Sequence, residues 1–88
     1  MARLTIPQRI CLPFGYIVTV KQVPPTDPAL HDTETGETLD GSWNSDTRVI
    51  AINKTLPMRR RRILLYHELQ HGIADAQHHF LNEGIMHS

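Results

Sequence analysis

Five consecutive residues near the end of the sequence have the types and the spacing of a metal site. Residues 67–71, HELQH, match the pattern HExxH. Because residues four apart share one face of a helix, His67 and His71 can both reach one zinc ion, about 2.0–2.1 Å from each nitrogen. Glu68 is offset by one residue, so its carboxylate can approach a metal-held water and act as a general base. An incidental histidine pair on a surface helix is the alternative, and the uncharged residues on either side of the motif argue against it.

A catalytic zinc usually has three protein ligands, and geometry leaves the third one open. Asp75 lies eight residues after the first histidine, a rise of about 12 Å on a straight helix, so it cannot share the ion unless the helix breaks. His78 and His79 meet the same difficulty unless the helix ends before them and the chain folds back. Glu83 follows a predicted turn. On geometry Glu83 therefore ranks first, His78 or His79 second, and Asp75 third.

The helix that carries this motif is predicted to run from Met58 to about Gln77. Pro57 suits a first helical turn, and no further proline or glycine occurs before Gly72. Two stripes of residues recur at helical spacing. The stripe expected to pack on a sheet is Leu65, Leu69, Ile73 and Ala76, and the neighbouring stripe is Leu64, His67, His71, Ala74 and His78.

The first half of the sequence predicts the sheet on which this helix packs. Tyr16–Val23 and Thr47–Asn53 are rich in β-branched residues and read as strands, the second one entering through a hairpin centred on residues 44–46. A shorter extended piece containing Pro7 is expected at an edge, and residues 26–40 as a loop. The predicted fold class is α+β: a small antiparallel sheet with one long HExxH-bearing helix packed on it, in a single domain spanning residues 1–88.

Composition excludes several classes of protein. The formal net charge is zero with histidines neutral, which makes a general nucleic-acid binder unlikely. Cys11 is the only cysteine, so neither an internal disulfide nor a cysteine zinc site is expected. No apolar run approaches the roughly 18 residues of a membrane span, and no signal peptide is visible, so a cytoplasmic location is predicted. The tract Arg59–Arg62 is expected to pair with acids of the 32–46 loop.

Residues 46–84 resemble the small zincin-type metallopeptidases of bacteria and their phages, the compact relatives of the ImmA/IrrE peptidases. The resemblance rests on the order of four features: a strand, a basic helix start, the segment LLYHELQHG and the segment NEG. It implies a minimal zincin-like fold, a zinc cofactor and hydrolysis of peptide bonds in a peptide or protein substrate.

The resemblance also implies roles for individual residues. His67 and His71 are expected to bind zinc, with Glu68 as the catalytic base. Glu83 of the NEG segment is expected to be the third ligand of a gluzincin-like site. Asp75 is expected to orient a ligand histidine from outside the coordination shell, which its distance of one helical turn from His71 allows.

In zincins the strand beside the active helix binds an extended peptide by strand addition. The segment in the matching place of this sequence is Arg48, Val49, Ile50, Ala51 and Ile52. A further group is expected to stabilise the oxyanion, and the candidates left open are Tyr66, His78, His79 and His31.

Two kinds of function therefore remain after the sequence has been read. The first is a zinc-dependent metallopeptidase that uses a metal-activated water and Glu68 as general base. The second is a catalytically silent zincin-like zinc-binding module that serves as a protein-interaction or nucleic-acid accessory protein. Substrate, biological process and oligomeric state are not specified by the sequence.

Overall fold

The structure is a computed structural model that describes residues 5–81 of the 88. In this part of the chain a small sheet packs against one long helix, which confirms the predicted α+β class. The strands are β1, Arg9–Cys11; β2, Ile17–Val23; β3, Gly41–Asn44; and β4, Val49–Asn53. The helix α1 is Met58–Phe80, and two 3-10 turns occupy Pro13–Gly15 and Pro28–Leu30.

The sheet is mixed, and the prediction of an antiparallel sheet is wrong in this respect. The strand order is β1-β2-β4-β3, with β2 and β4 parallel and the two outer pairs antiparallel. A parallel pair needs a long crossover. Residues 24–48, which contain a 3-10 turn and β3, provide this connection between β2 and β4. As a result β4 lies inside the sheet and β3 at its edge.

The predicted hairpin is confirmed, and it joins β3 to β4 through residues 45–48. The side chain of Asn44 holds the turn, because its Oδ1 accepts hydrogen bonds from the backbone N–H groups of Asp46 at 2.9 Å and Thr47 at 3.2 Å. Arg48 completes the turn in the left-handed region with φ of 58°. This turn fixes the register in which Trp43 lies opposite Ile50.

The main core lies between the sheet and α1. Its fully buried strand residues are Val18, Ile50 and Ile52, with Val20 5% exposed. Three members of the predicted apolar stripe pack against them, namely Leu65, Leu69 and Ala76. Leu64, which the sequence pattern grouped with the histidines, also packs on this core. Through Leu64, one edge of the histidine stripe therefore also contacts the sheet.

The other face of the sheet is covered near β3 and β4 by the segment around the second 3-10 turn. Leu30 is fully buried there, and Ser42 Oγ donates a hydrogen bond to the carbonyl oxygen of Ala29 at 2.7 Å. Because successive residues of a strand point to opposite faces, Ser42 and the neighbouring Ala51 face away from α1. This second layer explains why all of residues 50–53 are buried.

The helix continues past its predicted end near Gln77 and runs without a break to Phe80. Gly72 does not interrupt it, because this glycine packs against Trp43. A methyl group at Gly72 would lie 3.4 Å from the indole ring. Within residues 5–81, none of the helical structure is both long and apolar enough to cross a lipid bilayer.

Truncating the core between sheet and helix should destabilise the protein strongly. Ile52 is fully buried, so Ile52→Ala is expected to lower the free energy of unfolding by about 2–5 kcal/mol. Ile17 is 44% exposed, so Ile17→Ala should cost only about 0.5 kcal/mol. Urea unfolding followed by circular dichroism measures both, and equal losses would contradict the described core.

Candidate metal centre

The two motif histidines lie one turn apart in the middle of α1, with both side chains exposed. Their ring centroids are 5.5 Å apart and the ring planes are inclined at 82°. Two imidazoles bound to one tetrahedral zinc through their nitrogens place their centroids about 5 Å apart. His67 and His71 therefore fit a shared ion with only a small adjustment of their rotamers.

Glu68 lies between this histidine pair and the edge strand. Its side chain is half-buried, and a methyl group placed on Gly41 would lie 3.6 Å from Glu68 Cγ and 3.6 Å from Leu64 Cβ. Gly41 and Glu68 are therefore close neighbours, with the Glu68 side chain above the first residue of β3. A carboxylate in this position stands beside anything that binds along the strand.

The outer edge of β3 has no backbone partner among the described residues. The N–H of Asn53 donates to the carbonyl of Asp40, 2.9 Å away, which fixes the hydrogen-bonding pattern of the β3–β4 pair. Because that pattern alternates along an antiparallel pair, the backbone groups of Gly41 and Trp43 point to the open edge. We call the space between this edge and the histidine face of α1 the edge cleft.

The described strand order leaves β4, the strand predicted to align the substrate, without an open edge. Both edges of β4 are already hydrogen-bonded, to β2 and to β3, so its residues Val49, Ile50, Ala51 and Ile52 cannot pair with a further strand. Arg48, the first residue assigned to that role, lies in the turn before β4. Its guanidinium carbon lies 4.0 Å from the centroid of the Tyr16 ring, a cation–π contact that gives it a structural partner.

A side-chain hydrogen bond joins the edge strand to the helix. Trp43 Nε1 donates to Asp75 Oδ2 over 2.6 Å, and the same indole packs against Gly72. The helix is unbroken between His67 and Asp75, and the rise over eight residues is about 12 Å, too far for these two side chains to share one ion. The described hydrogen bond of Asp75 goes to Trp43, and the predicted orienting contact with His71 stays a prediction.

The continuous helix also separates the two alternative third ligands from the motif histidines. His78 and His79 were candidates only if the helix ended before them, whereas α1 extends to Phe80. They lie eleven and twelve residues after His67, a rise of about 16–18 Å, too far to share its ion. His79 instead lies beside Tyr16, with ring centroids 6.0 Å apart.

The remaining third-ligand candidate, Glu83, lies outside the described residues and stays a prediction. Within residues 5–81 the structure contains no group of three histidine, cysteine or acidic side chains that could hold a metal ion. A complete zinc site on this helix therefore needs a ligand from residues 82–88 or from outside the chain.

The candidates for oxyanion stabilisation lie apart from the edge cleft. Tyr66 is 71% exposed and precedes His67, so the 100° step of the helix turns it away from β3. His31 is exposed and follows the 3-10 turn on the opposite face of the sheet. His78 and His79 lie too far along α1, as described above. None of the four is brought next to Glu68.

In the described part of the chain, one arginine of the basic tract pairs with an acid of the 32–46 loop, as the sequence predicted. Arg60 pairs with Asp40 of the loop at 3.8 Å, and both side chains are about half exposed. Arg61 donates from Nε to the carbonyl of Leu56 at 2.8 Å and from Nη1 to Gln22 Oε1 at 2.7 Å. The tract therefore ties the start of α1 to the ends of the strands.

One known protein family matches most of the chain. The model of the family Peptidase_M78, described as the IrrE N-terminal-like domain, matches residues 17–86. The chain belongs to this family. The IrrE N-terminal-like assignment confirms the sequence resemblance and gives the chain a zincin-like metallopeptidase fold. No curated protein and no solved structure matches the chain significantly.

Sequence reasoning missed the contribution of β3 to this site. The segment GSWN has little strand character, since glycine, serine and asparagine are poor strand formers. Trp43 was the available signal, because a tryptophan whose N–H becomes buried needs an acceptor, and Asp75 is an acid on the predicted helix.

The bond between Trp43 and Asp75 should contribute measurably to stability. A double-mutant cycle with Trp43→Phe and Asp75→Ala is expected to give a coupling energy of about 1.5–3 kcal/mol, because the acceptor is charged and the pair is partly buried. Circular dichroism during urea unfolding measures it without relying on tryptophan. Gln77→Ala is the matched control for the helix and should be additive with Trp43→Phe. Additivity of the Trp43 and Asp75 changes would contradict the contact.

Proposed function

We propose that this protein is a zinc-dependent peptidase whose active site is the edge cleft. The observation that carries the proposal is the geometry of His67 and His71, which share one helix face with ring centroids 5.5 Å apart. Family membership supports it, because the IrrE N-terminal-like domain is a peptidase family. The position of Glu68 beside an open strand edge supports it independently.

The residues proposed to hold zinc are His67, His71 and Glu83. Two neutral imidazoles and one carboxylate form a donor set that zinc prefers at catalytic sites, and such a set leaves a fourth position for water. When bound, zinc would lower the pKa of that water and polarise the carbonyl of the substrate.

Glu68 is proposed as the general base. Its carboxylate accepts a proton from the attacking water and then transfers that proton to the leaving amine of the cleaved peptide. Glu68 lies beside Gly41, so the base is close to the edge strand as well as being carried by the helix.

The substrate is proposed to bind as an added strand on β3. Gly41 and Trp43 direct backbone hydrogen-bonding groups to the open edge, and an extended peptide pairing with them would pass beneath the histidine face of α1. β3 takes this role in place of β4, which the sequence pattern favours. The Trp43–Asp75 bond keeps the strand at a fixed distance from the helix. A peptide paired with β3 would therefore lie at a fixed distance from Glu68 on the helix.

Zinc content tests the metal site. Purified protein should bind one zinc per chain, and His67→Ala or His71→Ala should abolish stoichiometric binding and the rise in melting temperature that zinc produces. His31→Ala is the matched control, because His31 is exposed on the other face of the sheet and should change neither quantity. Glu83→Ala should weaken zinc binding, whereas His78→Ala should not. Unchanged zinc content in both motif variants would refute the metal site.

Glu68→Gln separates an enzyme from a silent zinc-binding module. The variant is expected to retain zinc and lose about 100- to 10,000-fold in kcat, because the amide cannot accept a proton. Peptide cleavage measured by mass spectrometry, alongside zinc content, gives both quantities. If zinc-loaded parent protein cleaves nothing in a diverse peptide library, the module is the better description.

A further inference from the structure

The pair of Arg60 and Asp40 lies at one end of the edge cleft. Asp40 immediately precedes Gly41, the first residue of β3. Arg60 lies seven residues before His67, so two helical turns bring its Cα to nearly the same face of α1, about 10 Å away along the axis. A strand added to β3 would therefore run from the metal site toward this pair.

This end of the edge cleft carries an excess of positive charge. Four arginines occupy residues 59–62, and the only carboxylate paired with them in the described part of the chain is that of Asp40. The Arg60–Asp40 contact is long, at 3.8 Å, and both side chains are about half exposed. Exposed pairs of this kind are weak, so Arg60 can exchange its partner at little cost. Arg61, by contrast, donates hydrogen bonds to the carbonyl of Leu56 and to the side chain of Gln22.

The direction of strand addition decides which part of a substrate meets Arg60. Antiparallel pairing is the more stable arrangement. Gly41 lies near Leu64, and Trp43, two residues later, lies near Gly72. β3 and α1 therefore run in the same general direction from N to C terminus. A peptide that pairs antiparallel with β3 therefore runs, from its N to its C terminus, toward Asp40. Its residues after the cleaved bond lie closest to Arg60. At about 3.4 Å per residue, 10 Å corresponds to about three residues.

We propose that Arg60 selects substrates with an acidic side chain about three residues after the cleaved bond. Asp40 competes for the same guanidinium and keeps it extended toward the edge cleft. This inference rests on the proposed peptidase function, because it names the substrate class of that site. Peptide is favoured over nucleic acid as the anion, since the cation adjoins an open strand edge and the chain has no net positive charge.

The first test profiles cleavage of a proteome-derived peptide library by zinc-loaded protein. Parent protein should prefer Glu or Asp over Lys by about fivefold at the second to fourth residues after the cleaved bond, as expected for an exposed ion pair. Arg60→Gln should remove this preference and Asp40→Asn should increase it. Arg59→Gln is the matched control, because the helical step turns Arg59 away from Arg60, and it should leave the preference intact. Cleavage without an acidic preference, or a preference that survives Arg60→Gln, overturns the inference and leaves the peptidase proposal standing.

The second test measures binding without catalysis. Trp43 is the only tryptophan and lies on β3, so its fluorescence reports binding to zinc-loaded Glu68→Gln protein. Two tryptophan-free decapeptides with Glu-Glu-Glu or Lys-Lys-Lys in their second half serve as probes. Tighter binding of the glutamate peptide, lost on Arg60→Gln and reduced at high salt, supports the inference even if no peptide is cleaved. The inference is overturned if the glutamate peptide does not bind. It is also overturned if a 20-base-pair DNA competes with the peptide and this competition depends equally on all four arginines.

Discussion

The contact of Trp43 with α1 is the constraint on which the candidate site depends. An edge strand of four residues has a partner on one side only, so something else must hold it against the helix. The indole does so twice, through its 2.6 Å hydrogen bond to Asp75 and through its packing on Gly72. With the strand held there, Glu68 lies next to Gly41. His67 and His71, one turn apart on the same helix, lie on the side of the open edge of β3.

The same contact explains why one part of the site could be predicted from the sequence and another could not. The motif and its helix were predictable, because i and i+4 spacing places His67 and His71 on one face whatever the tertiary structure. The end of the helix was not. Gly72 is a weak helix former, and its place in a continuous helix is supported by the long-range packing of Trp43, which no local pattern reveals.

The strands show the same division between local and long-range information. The sequences of β2 and β4 are rich in β-branched residues and were recognised as strands, and the β3–β4 hairpin followed from turn residues. Their order in the sheet depends on the crossover between β2 and β4, which places β4 inside and β3 at the edge. Strand propensity carries no information about this order, and so the sequence alone favours the more strand-like segment as the substrate strand. The proposed function moves it to the strand whose backbone groups remain open.

The central claim is that His67 and His71 share one zinc ion beside the open edge of β3. Crystals of the zinc-loaded protein, measured on both sides of the zinc absorption edge, test it most directly. We expect one anomalous peak within bonding distance of both imidazoles, with the Glu83 carboxylate as third protein ligand and water in the fourth position. An ion bound elsewhere, or one that contacts neither histidine, would contradict it.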